Sequence, residues 1–320
     1  LLRAEIVVPA LGVIVEKMPP SRTLPSDCTA IADTAALLNA MGAEVHGIDL
    51  AAPLDEATFA AIRGAFNRHM LLRFPSQKLT EAQLVAFSRH FGDLEVHVVS
   101  QYSLPEYREI LVLSNILKDG KHIGLADAGQ RWHSDAGYRR EPDRASVLYA
   151  REIPAPHADG QSAGDTMFAS ARAAYDALDD ALKKRLDGLK VVYSYIRAYE
   201  AKMNEGSSSR KPLTEKQRAE VPDVVQPLIR THPYTGRKII YANPAHTFEI
   251  VGMPEKESQA LLNELYAHIT KPEFVYRHQW TAEDVLMWDN CVVQHNAVGD
   301  YALPQRRLMH TTRIKGTVPF

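Results

Sequence analysis

A histidine and an aspartate two positions apart on an extended segment point to the same side, which suits two adjacent corners of a metal's coordination sphere. The 320-residue chain contains this pattern twice, as His133 with Asp135 and as His157 with Asp159. With 13 histidines and 39 acidic residues, chance alone yields about one or two such pairs, so the flanking residues decide between them. His157 lies in PAPHADGQSAG, a polar stretch bounded by proline and glycine where both side chains are most simply solvated. His133 lies in RWHSDAGY, between Trp132 and Tyr138, whose rings can wall a ligand site and exclude water. A third ligand must come from far along the chain. His295 in MWDNCVVQH follows a strand-like run and the turn-forming pair Asp289-Asn290. Two histidines and one carboxylate leave three positions open on a ferrous ion, the arrangement used for oxygen activation, whereas catalytic zinc keeps fewer free. Taken alone, His295 reads as a satisfied core histidine.

Beyond His295 comes PQRRLMHTTRI, at positions 304 to 314. On a strand, 307, 309, 311 and 313 share one face and 306, 308 and 310 the other. A buried arginine is suited to bidentate capture of a carboxylate, so one of Arg306 and Arg307 can face inward to an acid while its neighbour faces water. An ordinary surface pair is the plainer reading.

The elements that must position these residues read as strands with helices outside. Strands are expected at Met70 to Phe74, Glu109 to Ser114, Ala145 to Ile153, Lys238 to Asn243, Phe274 to Trp280, Asp284 to Trp288 and Arg307 to Ile314, each rich in β-branched or aromatic residues. Several crowd the last part of the chain without a helix between them. Such succession favours antiparallel pairing, hence a mainly β fold, a sandwich or jelly roll with outer helices, over a doubly wound parallel sheet. Helices are expected from Asp55 to His69, from Thr80 with a Thr80/Gln83 capping box to Gly92, from Ser170 to Leu186, and from Pro254 to Ile269 with Pro254 in the first turn. The stretch from Ala201 to Val225, with its GSSSRKP run, has little periodic apolar pattern and is expected to be a long mobile loop, a solvated connection or a lid. Residues 1 to about 35 read as an arm packed on the surface or partly disordered, and 36 to 320 as one catalytic domain.

Composition excludes other classes. Lys plus Arg number 37 against 39 Asp plus Glu, a net charge of −2, so no field draws the chain to nucleic acid or an anionic membrane. Cys28 and Cys291 stand near opposite ends and offer neither a disulfide framework nor a cysteine zinc cluster, which fits a reducing, cytoplasmic setting. The apolar run IVVPALGVIV is broken by Pro9 and too short to span a bilayer. Neither a G-x-G-x-x-G loop nor a Walker loop is present.

Over roughly Leu37 to Phe320 the chain resembles the taurine dioxygenase and 2,4-dichlorophenoxyacetate dioxygenase group of iron(II)- and 2-oxoglutarate-dependent oxygenases. The resemblance is carried by GAEVHGIDL, FGDLEVH, WHSD, AGDTMF, RTHPYTGRK, ITKPEF, WDN and QHNAVGDYALPQRRLMH, in that order. It implies a double-stranded β-helix core, Fe(II) held by His133, Asp135 and His295, and 2-oxoglutarate and O2 as cosubstrates, with Thr166 and Arg307 on the distal carboxylate of 2-oxoglutarate. The implied reaction hydroxylates a C–H bond of a small, anionic substrate such as an alkyl sulfate or sulfonate or an aryloxyalkanoate, releasing succinate and CO2. Asp135 favours hydroxylation over halogenation, which needs that coordination position for chloride. Relatives with this fold commonly form dimers or tetramers, so a homo-oligomer is expected.

Departures from the group's pattern concern the substrate. His97 matches a histidine that contacts the sulfonate in taurine-specific members, but Ser100 replaces a tyrosine, Gly129 an asparagine, and Thr311 the sulfonate-binding arginine. Losing a bidentate partner for a buried anion is costly, so taurine itself is disfavoured. Arg313 shares the strand face of Thr311, about 7 Å further along, and can serve a displaced anion or form a structural salt bridge. The segment between Asp135 and Thr166 is longer than in familiar members, and Cys291 stands where arginine commonly follows WDN; burial as a small apolar residue is its simplest role. Two other readings are carried: a non-catalytic metal-bearing jelly roll that binds a small acid, and a zinc hydrolase, disfavoured by the lack of a clear general base beside the triad.

Overall fold

The computed structural model describes residues 6–8, 13–18, 41–205 and 210–320. Two sheets face one another. The larger has eight strands in the order Ile6–Val8, Val13–Lys17, Ala43–His46, Leu71–Phe74, Val285–Asp289, Asp143–Glu152, Leu308–Lys315 and Leu111–Ser114. The smaller places Thr166–Ser170 between Val275–His278 and Val293–Ala297. Pairing is antiparallel throughout these two sheets except between Ala43–His46 and Leu71–Phe74, which run parallel. Two short segments of the N-terminal arm thus enter the main sheet; the rest of the expected arm, Cys28 included, lies outside the described residues.

Alternation along the central strands sorts side chains between two cores. Ala145, Val147 and Tyr149 face the helices Glu56–His69 and Glu81–Arg89, packing with Ile62, Phe66, Leu84 and Phe87. Leu148 and Ala150 face the smaller sheet and meet Phe168, Leu286, Trp288 and Met309. A period of two with both faces covered explains why these strands read as nearly continuous apolar runs.

The helix ends follow local chemistry. Asp55 caps the first helix by accepting from the Thr58 N–H at 2.6 Å, and Thr80 and Gln83 form the expected capping box. That second helix ends at Arg89, three residues before Gly92. The helix expected over 170–186 is instead two, Ala171–Asp176 and Asp180–Leu186, because Asp179 accepts from the Leu182 N–H at 2.7 Å and starts a new helix. Pro254 is the N-cap of Glu255–Ile269 rather than part of its first turn. The stretch 201–225 expected as a long loop is partly helical: Tyr195–Asn204 runs into it and Glu215–Glu220 stands within it, opened by a Thr214/Gln217 capping box. That T-x-x-Q signature is legible in the sequence, and a short polar helix lacks the apolar stripe that periodicity detects. No helix among the described residues is long and apolar enough to cross a membrane.

Candidate active site

His133 and His295 are brought together by the backbone. They form an antiparallel bridge in which each N–H donates to the other's carbonyl, at 3.0 and 2.7 Å, and their rings lie 4.0 Å apart. The bridge extends the edge of the smaller sheet at Val293–Ala297, so a pairing of distant segments does what no local spacing can. Asp135 follows on a turn in which Ala136 has φ 53°. Its carboxylate reaches both rings, with Oδ1 3.7 Å from His133 Nε2 and Oδ2 3.9 Å from His295 Nε2.

The donor set fits a divalent transition metal. His133 Nδ1 donates to the Arg131 carbonyl at 2.7 Å, which leaves the Nε2 lone pair for a metal. Burial holds both imidazoles below the usual histidine range, so they are neutral, as ligands must be. Burial alone would raise Asp135, but Arg313, His295, His133 and the Ser146 hydroxyl together hold its carboxyl well below the ordinary value. His133, Asp135 and His295 are all buried and their ligand atoms lie within 4.8 Å of one another.

A second cluster, His232, Asp289 and Cys291, is equally tight, but its lone pairs are committed. His232 Nδ1 accepts from the Thr235 N–H at 3.0 Å, so its proton sits on Nε2 and is donated to Asp289 Oδ2 at 2.8 Å. Asp289 also pairs with Arg144 and accepts from the Cys291 N–H. Burial and Asp289 push the Cys291 thiol up to about 12. The cysteine is thus a buried structural residue in this cluster and stands outside the His133–Asp135–His295 triad.

Two connected cavities meet at the triad. The inner one, about 560 Å³, is lined by Thr166, Trp288, His295, Arg307, Thr311 and Arg313 among others. Arg307, Thr311 and Arg313 therefore share the inward face, as strand alternation requires, with Met309 in the core between the sheets. Arg307 is 5% exposed, its Nε has no hydrogen-bond partner, and no carboxylate among the described residues lies within ion-pair distance of it. Arg306 points out and pairs with Glu152 at 3.1 Å. Thr166 accepts a hydrogen bond from Trp280 Nε1–H at 3.0 Å, which leaves its own hydroxyl proton to donate. A buried cation that meets the Tyr301 side chain but no carboxylate, in one cavity with a hydroxyl free to donate, is complementary to a carboxylate.

His157 and Asp159 form no metal pair. Asp159 accepts from the Gln161 N–H, and His157 Nε2 lies 3.4 Å from Asp300, which accepts from the Gly164 N–H at 2.7 Å. The long segment before Thr166 is thereby folded against Arg307: a Cβ on Gly164 would come within 3.3 Å of that side chain.

The outer cavity, about 730 Å³, opens from the triad past His97, Tyr138, Tyr195, Tyr199, His246 and Arg210. Tyr138 stacks obliquely on Tyr195 at 4.5 Å and lies 5.1 Å from His246, whose ring is 6.0 Å from His133. His97 Nδ1 accepts from the Val99 N–H, so the neutral ring keeps its proton on Nε2; burial and the nearby Arg313 depress it well below the usual histidine value. Arg313 lines both cavities and lies 3.0 Å from Asp135 Oδ1. Gly129 has φ 75°, and a Cβ there would lie 3.4 Å from His133 Cε1; asparagine, common at that position in the resembled group, also tolerates this backbone region. Sequence reasoning missed Tyr195, Tyr199, Arg210 and His246, which carry no motif, and also Ser146, which reads as one polar residue in a core strand.

Comparison with known proteins agrees with this geometry. The family model described as taurine catabolism dioxygenase TauD, TfdA family matches residues 33–313. An alpha-ketoglutarate-dependent 2,4-dichlorophenoxyacetate dioxygenase of Burkholderia sp. (strain RASC) is 35% identical over 282 residues, covering 85% of this chain and 90% of that protein. The (S)-phenoxypropionate/alpha-ketoglutarate-dioxygenase of Sphingobium herbicidovorans is 32% identical, covering 89% and 95%. Among solved structures, a taurine dioxygenase from Burkholderia xenovorans superimposes with a TM-score of 0.70 at 33% identity over 88% of this chain and 89% of that one. AAD-2 in complex with Mn(II) and N-oxalylglycine gives 0.71 at 31% identity over 87% and 95%. A two-histidine, one-carboxylate centre between the sheets of a jelly roll, matched by sequence along most of its length, places the chain in the TauD/TfdA family of Fe(II)- and 2-oxoglutarate-dependent dioxygenases.

Proposed function

We propose that the chain hydroxylates an aliphatic C–H bond of a small anionic organic molecule, with 2-oxoglutarate and O2 consumed and succinate and CO2 released. His133, Asp135 and His295 would hold Fe(II), and Thr166 and Arg307 the distal carboxylate of 2-oxoglutarate. The observation that carries this reading is Arg307, a buried guanidinium without a carboxylate partner, in the same cavity as the triad.

Bound ferrous iron and its cosubstrate supply the oxidising power; the protein supplies position and exclusion of water. Arg307 and Thr166 give one end of the cosubstrate a fixed cation and a fixed donor. Tyr138, Tyr195 and His246 wall the outer cavity around the target bond. Arg313 and the Nε2–H of His97 offer donors for the substrate's acid group on the metal side of that wall, Arg313 taking over from the arginine that Thr311 replaces. Thr311 itself contributes a small neutral surface to the inner cavity. Aryloxyalkanoate dioxygenases among the relatives support an anionic substrate. The balanced charge supports a small-molecule partner rather than nucleic acid or a membrane, the two distant cysteines support a reducing, cytoplasmic setting, and the habit of this fold supports a homo-oligomer.

The test is anaerobic: iron-loaded protein is titrated with 2-oxoglutarate while the visible chelate band is followed, then oxygen is admitted and succinate is assayed across alkyl sulfates, sulfonates and aryloxyalkanoates. A band and a compound that accelerates succinate release are expected. No band in folded, iron-loaded protein would return the binding-protein reading, and turnover without oxygen or 2-oxoglutarate the hydrolase reading.

A further inference from the structure

The carboxylate of Asp135 is gripped from both sides. Oδ2 accepts from the Ser146 hydroxyl at 2.5 Å and Oδ1 lies 3.0 Å from Arg313 Nη2. Ser146 Oγ in turn accepts from Asn290 Nδ2 at 2.9 Å, so its single proton is committed to Asp135. Asn290 is fixed by the opposite end of its amide, where Oδ1 accepts from the Asp135 backbone N–H at 3.2 Å and from Trp288 Nε1–H at 2.9 Å. Ser146, Asn290, Trp288 and Asp135 are all at most 4% exposed. Burial shields the Ser146 and Asn290 bonds from bulk water, and turning the Asp135 carboxylate breaks at least one of its own.

This network joins two segments separated along the chain, WHSD and WDN, through a serine on the central strand. Resting on the metal assignment above, we propose that Ser146, held by Asn290 and Trp288, is a positioning residue that fixes Asp135 as a ligand before metal arrives, with Arg313 opposing it on the other oxygen. Each oxygen keeps a lone pair for the metal while its second direction is taken. A carboxylate fixed this way loses little rotational freedom on binding, which is how partners one layer behind the ligands raise metal affinity, typically 10–100-fold.

The test is Mn(II) binding to the full chain, read from the free Mn(II) signal in electron paramagnetic resonance. Ser146→Ala should raise the Mn(II) dissociation constant roughly 10–100-fold. Trp288→Phe keeps a ring beside His295, 4.7 Å away in the native protein, but removes the donor to Asn290; it should raise the constant severalfold. Ser88→Ala, which removes a buried hydroxyl bonded to Thr312 at 2.6 Å near the outer helices, should leave it unchanged and so control for general destabilisation. Ser146→Ala and Trp288→Phe proteins that both bind Mn(II) within twofold of wild type, or a Ser88→Ala protein that weakens it as much as they do, would overturn the proposal. A wild-type protein that binds no Mn(II), or a His133→Ala protein that binds it as wild type does, would instead remove the metal assignment on which the proposal rests.

Discussion

Replacing Arg307 by alanine isolates one interaction with little damage to the fold. The residue's backbone bonds, its N–H to Asn115 Oδ1 at 2.9 Å and its carbonyl from Ser114 Oγ at 2.8 Å, survive the change. What is lost is a buried guanidinium in the inner cavity. Charge-assisted hydrogen bonds contribute about 1.5–3 kcal/mol each. A carboxylate held by two of them loses about 3–5 kcal/mol, since Thr166 with its Trp280 partner remains. At 1.4 kcal/mol per tenfold, that is a rise of roughly 10² to a few times 10³ in the 2-oxoglutarate dissociation constant. The neighbouring Arg306→Ala is the internal comparison: its side chain is 53% exposed and paired with Glu152, so less than about a twofold change is expected. Both are read from the chelate band in anaerobic, iron-loaded protein, independently of turnover. An Arg307→Ala protein within threefold of wild type, or an Arg306→Ala protein with the larger shift, would refute the assignment and the register of the last strand with it.

Three further outcomes follow from the site. His133→Ala and Asp135→Ala should each abolish succinate formation while His157→Ala retains most of it; the reverse pattern would exchange the two H-x-D pairs. Trp280→Phe removes the donor to Thr166 and should raise the 2-oxoglutarate dissociation constant by about tenfold or less, without altering Mn(II) affinity in the absence of 2-oxoglutarate; an equal loss of both would point to general disorder of the site. Burial, opposed by Arg313 and reinforced by Asp135, raises the Asp143 carboxyl to about 7 from an ordinary 3.8. Between those values the folded protein holds a proton that the unfolded chain has released, so this group makes stability fall as pH rises from about 4 to 7. Asp143→Asn should flatten that slope in urea unfolding of metal-free protein, and an unchanged slope would contradict the raised value.

Much of the site was readable because its chemistry is local. His133 and Asp135 are two positions apart, and their aromatic flanks separated them from His157 and Asp159, which the structure places in a loop tied to Asp300. Alternation put Arg307, Thr311 and Arg313 on one face, and all three line the inner cavity. The helical signals that failed were of two kinds. Asp179 restarted a helix that leucine spacing had read as continuous, and the Thr214/Gln217 box opened a helix too short and polar to show a stripe.

Residue types and short spacings singled out His133 and Asp135 as the better candidate metal pair, gave the strand character of the core and showed that Arg306 and Arg307 face opposite ways, since each depends only on neighbours along the chain; the resemblance, not the spacing, favoured Arg307 as the inward one. The tertiary structure decided which distant histidine completes the triad, because the His133–His295 bridge is a pairing of separate segments. It also decided which arginine is buried without a carboxylate partner, that Cys291 sits with Asp289 rather than in the triad, and that Ser146 grips Asp135. Those facts depend on what surrounds a side chain after two sheets close on each other, where burial and the loss of competing water give each contact its strength.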